Sequence, residues 1–233
     1  LKSGGIMMHM DPPLFTEMTP LRAFLAAWEA YNVNEAFAGV YRDMDLVSEA
    51  VKAKILELTK LDADAVRVLH NGIDLTPYKN LPTKSEAQAR LGIAQNGPVV
   101  LGVGRLHPAK NYLLLVEASR AVLERLPETQ FALVGEGDQR PAIEAAITQF
   151  GVSKNWTLLG QRNDVPHCLK AADVFVQSSD WEGFSLAVVE AMAAGLPVVA
   201  VAAPGVREVL KDGRNGRLLP DDDCEAMADA MVA

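Results

Sequence analysis

The stretch 178–190, Ser178-Ser179-Asp180-Trp181-Glu182-Gly183-Phe184-Ser185-Leu186-Ala187-Val188-Val189-Glu190, decides how the rest of the chain is read. The apolar run 173–177 before it predicts a buried strand. A helix is predicted over 186–194, stopped by Gly195 with Pro197 beyond it. Glu182, Gly183 and Ser185 therefore stand at the corner between strand and helix. Gly183 lets the backbone approach a ligand closely. The amides of Ser185, Leu186 and Ala187 are expected to face outward at the positive end of the helix dipole, which suits a phosphate. Glu190 lies about one turn inside the helix, so its carboxylate can point back to the same corner. Two carboxylates around an anion-binding turn make sense for a ligand that also carries hydroxyl groups. A nucleotide diphosphate sugar has both.

Outward from this corner the chain alternates. Strands are predicted at 98–103, 130–134, 156–159, around Val174, and at 197–201. Helices are predicted at 111–126, 139–150, 165–171 and 205–210, with a helix start over 224–232. Near-continuous apolar strands alternating with helices predict an α/β fold whose parallel sheet is covered on both faces. Ligands of such sheets bind beyond the carboxyl ends of the strands, near the switch in strand order.

Before that block the pattern is less regular. A short strand is predicted at 6–8 and an apolar helical stripe over 21–40. A strand at 45–47 leads to Ser48, which reads as the N-cap of a helix running to about 58. A strand at 66–69 ends in the turn Asn71-Gly72. Residues 75–97 read as a connector holding a short helix at 85–91.

The chain has 233 residues, 49% of them hydrophobic, and a formal net charge of -8. The acidic balance argues against nucleic acid as a partner, so local basic residues must do any phosphate work. Cys168 and Cys224 have neither disulfide nor metal spacing, which fits a reducing cytoplasm. No apolar run approaches the ~20 residues of a membrane span, and residues 1–11 do not read as a signal peptide.

Three post-strand loops carry candidate chemistry. In the first, Gly104-Arg105-Leu106-His107-Pro108-Ala109-Lys110-Asn111, the planar fork of Arg105 can grip phosphate and Lys110 adds a compact charge. Both also fit a solvated helix start. His107 stands where the third glycine of a dinucleotide fingerprint would fall, and no glycine precedes Lys110 as a P-loop requires. Dehydrogenases and P-loop kinases are therefore disfavoured. The second loop, Gly135-Glu136-Gly137-Asp138, allows close ligand approach or a plain turn with Asp138 as N-cap. The third, Gly160-Gln161-Arg162-Asn163-Asp164, can bind a base through backbone groups and reads equally as a helix start capped by Asp164. Glu190 lies among Val188, Val189 and Met192, where an unpartnered acid is costly. Asp221-Asp222-Asp223 reads as N-cap and solvated acid rather than metal ligands, and His70, His107 and His167 are scattered. Trp28, Trp156 and Trp181 read as packing residues.

Together these motifs resemble the retaining glycosyltransferases of family 4 (group 1), which have the GT-B architecture of two facing Rossmann-like domains. The matching residues are Gly104-Arg105-Leu106, Lys110-Asn111, Gly183-Phe184-Ser185-Leu186 and the pair Glu182 and Glu190 with seven residues between. Further matches are 190–199, Glu-Ala-Met-Ala-Ala-Gly-Leu-Pro-Val-Val, and Asn71-Gly72-Ile73-Asp74. The chain departs from the family at Ala203-Pro204-Gly205, where paired glycines precede the glutamate that Glu208 matches. The resemblance implies residues 1–70 as a truncated acceptor-side Rossmann-like domain that could supply His9, 71–97 as a linker and 98–233 as the donor-binding Rossmann-like domain. It implies that Arg105 and Lys110 hold the donor diphosphate, that Glu182 binds sugar hydroxyls and that Glu190 binds the ribose. Phe184, Ser185 and Leu186 would contact phosphate or sugar through their amides, with Gly104, Gly135, Arg162 and Gly183 also lining the donor. No metal or other cofactor is implied. The partners implied are a nucleotide sugar and an acceptor that is a sugar, lipid-linked sugar or small molecule; peripheral membrane association and oligomerisation stay open. The activity implied is sugar transfer with retention. A module that binds nucleotide without transfer and a nucleotide-sugar epimerase remain alternatives.

Overall fold

The computed structural model describes residues 44–46, 48–58, 62–220 and 222–233. The expected strand at 6–8, the helical stripe over 21–40, His9, Trp28, Val47 and Asp221 lie outside them. The chain divides into two compact units, residues 1–46 with 52–67 and residues 47–51 with 68–233. In the first, β1 (Met44–Leu46) and β2 (Val66–Val68) form a two-stranded sheet. Helix α1 (Glu49–Leu58) starts as its sequence predicts, with Ser48 Oγ accepting from Val51 N at 3.1 Å.

The second unit is a parallel sheet of six strands: β3 (Val99–Val103), β4 (Gln130–Val134), β5 (Trp156–Leu158), β6 (Val174–Gln177), β7 (Val198–Val201) and β8 (Arg217–Leu219). Their spatial order is β5-β4-β3-β6-β7-β8. The chain runs outward from β3 to one edge, returns to β6 and runs to the other. The switch in strand order therefore falls between β3 and β6, where Leu101 pairs with Phe175.

Successive strand residues point to opposite faces, and each face has its own core. Val100, Phe131, Leu133, Val176 and Val199 pack with α3 (Tyr112–Arg125), α4 (Arg140–Gln149) and α8 (Cys224–Val232). Val99, Leu101, Ala132, Phe175, Val198 and Ala200 pack with α2 (Lys84–Leu91), α5 (Val165–Lys170), α6 (Leu186–Ala193) and α7 (Pro204–Val209). This two-sided burial is why β3, β4 and β7 lack a polar alternation.

Four expectations change. Helix α2 begins one residue before 85, because Thr83 and Glu86 form a capping box, and its Ala87 and Leu91 enter the core. Asp138 is not an N-cap: α4 starts after Gln139. Asp164 occupies the N-cap position of α5, but its side chain makes no capping bond. Trp156 is buried, stacked on Phe131 with centroids 5.1 Å apart, whereas Trp181 is 46% exposed and is no packing residue. The N-cap reading of Asp223 is met by bonds from Glu225 N and Ala226 N, and both cysteines are free.

Candidate functional site

The loops after β3 and β6 meet at the switch point, and hydrogen bonds join them. Ser178 Oγ donates to Lys110 O at 2.8 Å, and Asp180 N donates to Ala109 O at 3.1 Å. Asn111 Nδ2 donates to Asp180 Oδ1 at 2.8 Å. Lys110 closes a 3₁₀ turn, Pro108–Lys110, that precedes α3, and His107 Nδ1 caps that turn at Ala109 N.

This clamp sets Lys110 Nζ against Glu182 Oε1. Glu182 is 8% exposed. Gln177 Nε2 and Ser179 Oγ donate to the same oxygen at 2.6 and 3.0 Å. Among the described residues nothing donates to Oε2, so one oxygen of the carboxylate is left able to accept. The main chain here is held by α7: Gly205 N donates to Glu182 O at 3.0 Å. A Cβ on Gly205 would lie 2.3 Å from Gly183 O, so only glycine permits the approach. The departure at Ala203-Pro204-Gly205 thus keeps the one glycine this contact requires.

Downstream, Ser185 caps α6 with Oγ accepting from Val188 N at 3.4 Å. By helix geometry the Leu186 and Ala187 amides have no intrahelical acceptor. Phe184 stacks on His70, centroids 5.4 Å apart. His70 Nε2 lies 3.0 Å from Glu208 Oε2, and the Glu208 carboxylate also accepts from Glu49 N and Ala50 N. Glu190, on α6, is half-buried, and burial raises its carboxyl above the usual range. Burial, then the charge of Glu190, pushes the Tyr78 phenol up to about 12.

The loops after β3, β4 and β5 form one stack through their main chains. Gly104 N donates to Val134 O, Leu106 N to Glu136 O, Gln139 N to Leu106 O and Gly135 N to Gly160 O, at 2.8–3.0 Å. A Cβ on Gly135 would lie 1.9 Å from Gly104 O. Gly104 and Gly135 are therefore in contact with each other. Arg105 projects from this stack, exposed; its carbonyl accepts from His107 N at 2.9 Å, and its guanidinium makes no hydrogen bond or ion pair among the described residues. Arg162 is bound bidentately to Asp164 at 2.8 and 2.9 Å. Those bonds hold the Asp164 carboxyl below its usual range and draw it away from the helix start it was expected to cap. A cavity of about 120 Å³ lies beside the stack, among Pro108, Tyr112, Gln139 and Ile143; none of Arg105, Glu182 or Glu190 lines it. Among the described residues no group of three His, Cys, Asp or Glu could hold a metal ion, and no helix is long and apolar enough to cross a membrane.

The structure thus joins Lys110 to Glu182, and Gly104 to Gly135. Arg162 it gives to Asp164, and Glu190 it places near Tyr78. Sequence reasoning gave no role to Gln177, Ser179, Asp180 or Tyr112, and named Gly205 only as part of a departure from the family pattern. The run Ser178-Ser179-Asp180 was a visible signal for Ser179 and Asp180: three polar residues directly after a buried strand.

Residues 83–232 match the family model described as glycosyl transferases group 1. The chain is 35% identical over 176 residues to the Escherichia coli UDP-Gal:alpha-D-GlcNAc-diphosphoundecaprenol alpha-1,3-galactosyltransferase, covering 74% of this chain and 46% of that one. It is 35% identical over 185 residues to the phosphatidyl-myo-inositol mannosyltransferase of Mycobacterium leprae, covering 78% and 47%. Among solved structures it is similar to Anabaena Alr3699/HepE in complex with UDP and glucose, with TM-score 0.75 and 30% identity over 81% of this chain and 52% of that one. WaaG, a glycosyltransferase involved in lipopolysaccharide biosynthesis, shares the fold at TM-score 0.75 and 22% identity, over 92% of this chain and 60% of that one. The chain spans about half the length of the curated relatives it matches. With a matched family model over most of its length and the sheet order described above, the chain belongs to the group 1 glycosyl transferases and carries a Rossmann-like domain of the GT-B type.

Proposed function

We propose that this chain binds the donor for a glycosyltransferase that moves a sugar from a nucleotide diphosphate to an acceptor hydroxyl with retention of configuration. The observation that carries the reading is the Lys110–Glu182 contact at the switch point, where a cation and a fixed carboxylate with one free oxygen share a rim. Arg105 and Lys110 take the diphosphate, and the α6 start adds amide donors. Glu182 Oε2 accepts from sugar hydroxyls and Glu190 from the ribose. Gly104, Gly135, Gly183 and Arg162 border the donor, with Phe184, Ser185 and Leu186 along its phosphate side.

In the transfer the bond between sugar C1 and the phosphate oxygen breaks while the acceptor oxygen bonds C1 from the same face. The acceptor proton passes to the departing phosphate. Arg105, Lys110 and the helix start stabilise the charge that develops there, and no metal takes part. The family is one of transferases, which favours transfer over epimerisation. The relatives' names put lipid-linked sugars and inositol lipids first among acceptors to try.

Calorimetry with UDP, GDP, ADP and CDP tests the reading. One of them should bind, and Arg105→Ala should weaken that binding about tenfold or more while leaving stability within about 0.5 kcal/mol. Binding by none would overturn it.

A further inference from the structure

Tyr112 opens α3 directly after Lys110 and Asn111. It is 4% exposed, and its hydroxyl is buried without a hydrogen-bond partner among the described residues. A buried hydroxyl left unpaired is costly, and an aliphatic residue would fill the same apolar space without that cost. The position of the hydroxyl says what it is for. A Cβ on Gly104 would lie 2.8 Å from the Tyr112 hydroxyl oxygen and 3.4 Å from Lys110 Cε. Phenol and ammonium stem therefore flank one spot, and that same Lys110 side chain contacts Glu182. The ring edge also approaches Gly102, 3.2 Å from where its Cβ would be. Two strand-end positions without side chains make room for this ring.

We propose that Tyr112 is a positioning residue for Glu182: its hydroxyl takes over as hydrogen-bond donor to that carboxylate when Lys110 turns to a bound diphosphate. The inference rests on the donor-binding reading above, because it is the diphosphate that draws Lys110 away. Without a replacement, Glu182 would lose its charged partner at the moment it must hold the sugar. Of the two buried side-chain oxygens left without a partner among the described residues, the phenol is the one that lies beside Lys110. Burial, and secondarily the charge of Glu182, raises the phenol's pKa, so it stays protonated and able to donate.

The test is Tyr112→Phe, which keeps the ring and removes one oxygen. Without ligand its melting midpoint should equal or exceed that of the wild type, since an unpaired group has gone. Its affinity for UDP and UDP-glucose should fall about tenfold, the weight of a hydrogen bond to a charged acceptor. In a Lys110→Ala background the phenol already serves Glu182, so the same substitution should now lower the midpoint, a reversal of sign that a purely structural hydroxyl would not give. Wild-type binding of UDP, or of GDP, ADP or CDP where UDP does not bind, that Tyr112→Phe leaves unchanged sinks this inference alone. So does a lowered midpoint in the wild-type background. A wild type that binds no nucleotide diphosphate sinks the functional reading, and the inference with it.

Discussion

Asn111 adopts a left-handed backbone, φ 44°, and its side chain bonds Asp180 at 2.8 Å. One residue thus ends the turn that carries Lys110 and fastens that turn to the loop that carries Glu182. Asn111→Ala should lose both the tolerated conformation and the bond, destabilising the fold by about 1–2 kcal/mol in urea unfolding. Asn111→Gly keeps the backbone free and should fall between alanine and wild type. Equal stability of all three variants would show the joint to be idle.

Lys110 and Glu182 form a poorly solvated pair, with side chains 22% and 11% exposed. Lys110→Ala should cost about 2–3 kcal/mol, because the acid stays behind with only neutral donors. Adding Glu182→Gln should recover most of that loss, giving a clear coupling energy in a double-mutant cycle. Additive losses would contradict the pairing. Nucleotide binding should be weakened in both variants.

Burial raises the Glu190 carboxyl above 4.5. The native state therefore holds its proton more tightly than the unfolded chain does. This contribution favours folding at low pH and is lost as pH rises from 4.5 through the raised value. Glu190→Gln should be more stable than wild type at pH 7, by under about 1 kcal/mol because water still reaches the group. The difference should shrink toward zero below the ordinary carboxyl range. Nucleotide affinity should move the opposite way and drop. Stability melts across pH, paired with calorimetry, would read both signs.

Glycines 135 and 72 make opposite predictions. A Cβ at Gly135 meets the Gly104 carbonyl at 1.9 Å, with φ 139°. Gly135→Ala should cost about 3 kcal/mol or more and disturb the Arg105 loop. Gly72 has nothing within 4 Å of that point and no left-handed φ. Gly72→Ala should be neutral or slightly stabilising. Similar losses at both would refute the packing account.

The strands were legible because a sheet covered on both faces needs unbroken apolar runs, and β4 (Gln130–Val134) and α8 (Cys224–Val232) fall where the pattern puts them. Caps were less so. Asp164 has the composition of a cap, yet Arg162 two residues before it offers a stronger, bidentate partner. The pairing of Lys110 with Glu182 spans 72 residues and depends on β6 returning beside β3, which no local pattern encodes. Tyr112 was invisible for a related reason: at a helix start an aromatic looks like core, and only its neighbours reveal an idle oxygen.

The stacked loops after β3, β4 and β5 are hydrogen-bonded to one another through amides and carbonyls. Outward-facing positions such as Gln161 and Asn163 can therefore be exchanged without dismantling the frame beneath them. The domain is built like a socket with interchangeable pins, so, on the donor-binding reading proposed above, retuning which donor fits should call for a few surface edits, and the chassis should tolerate them.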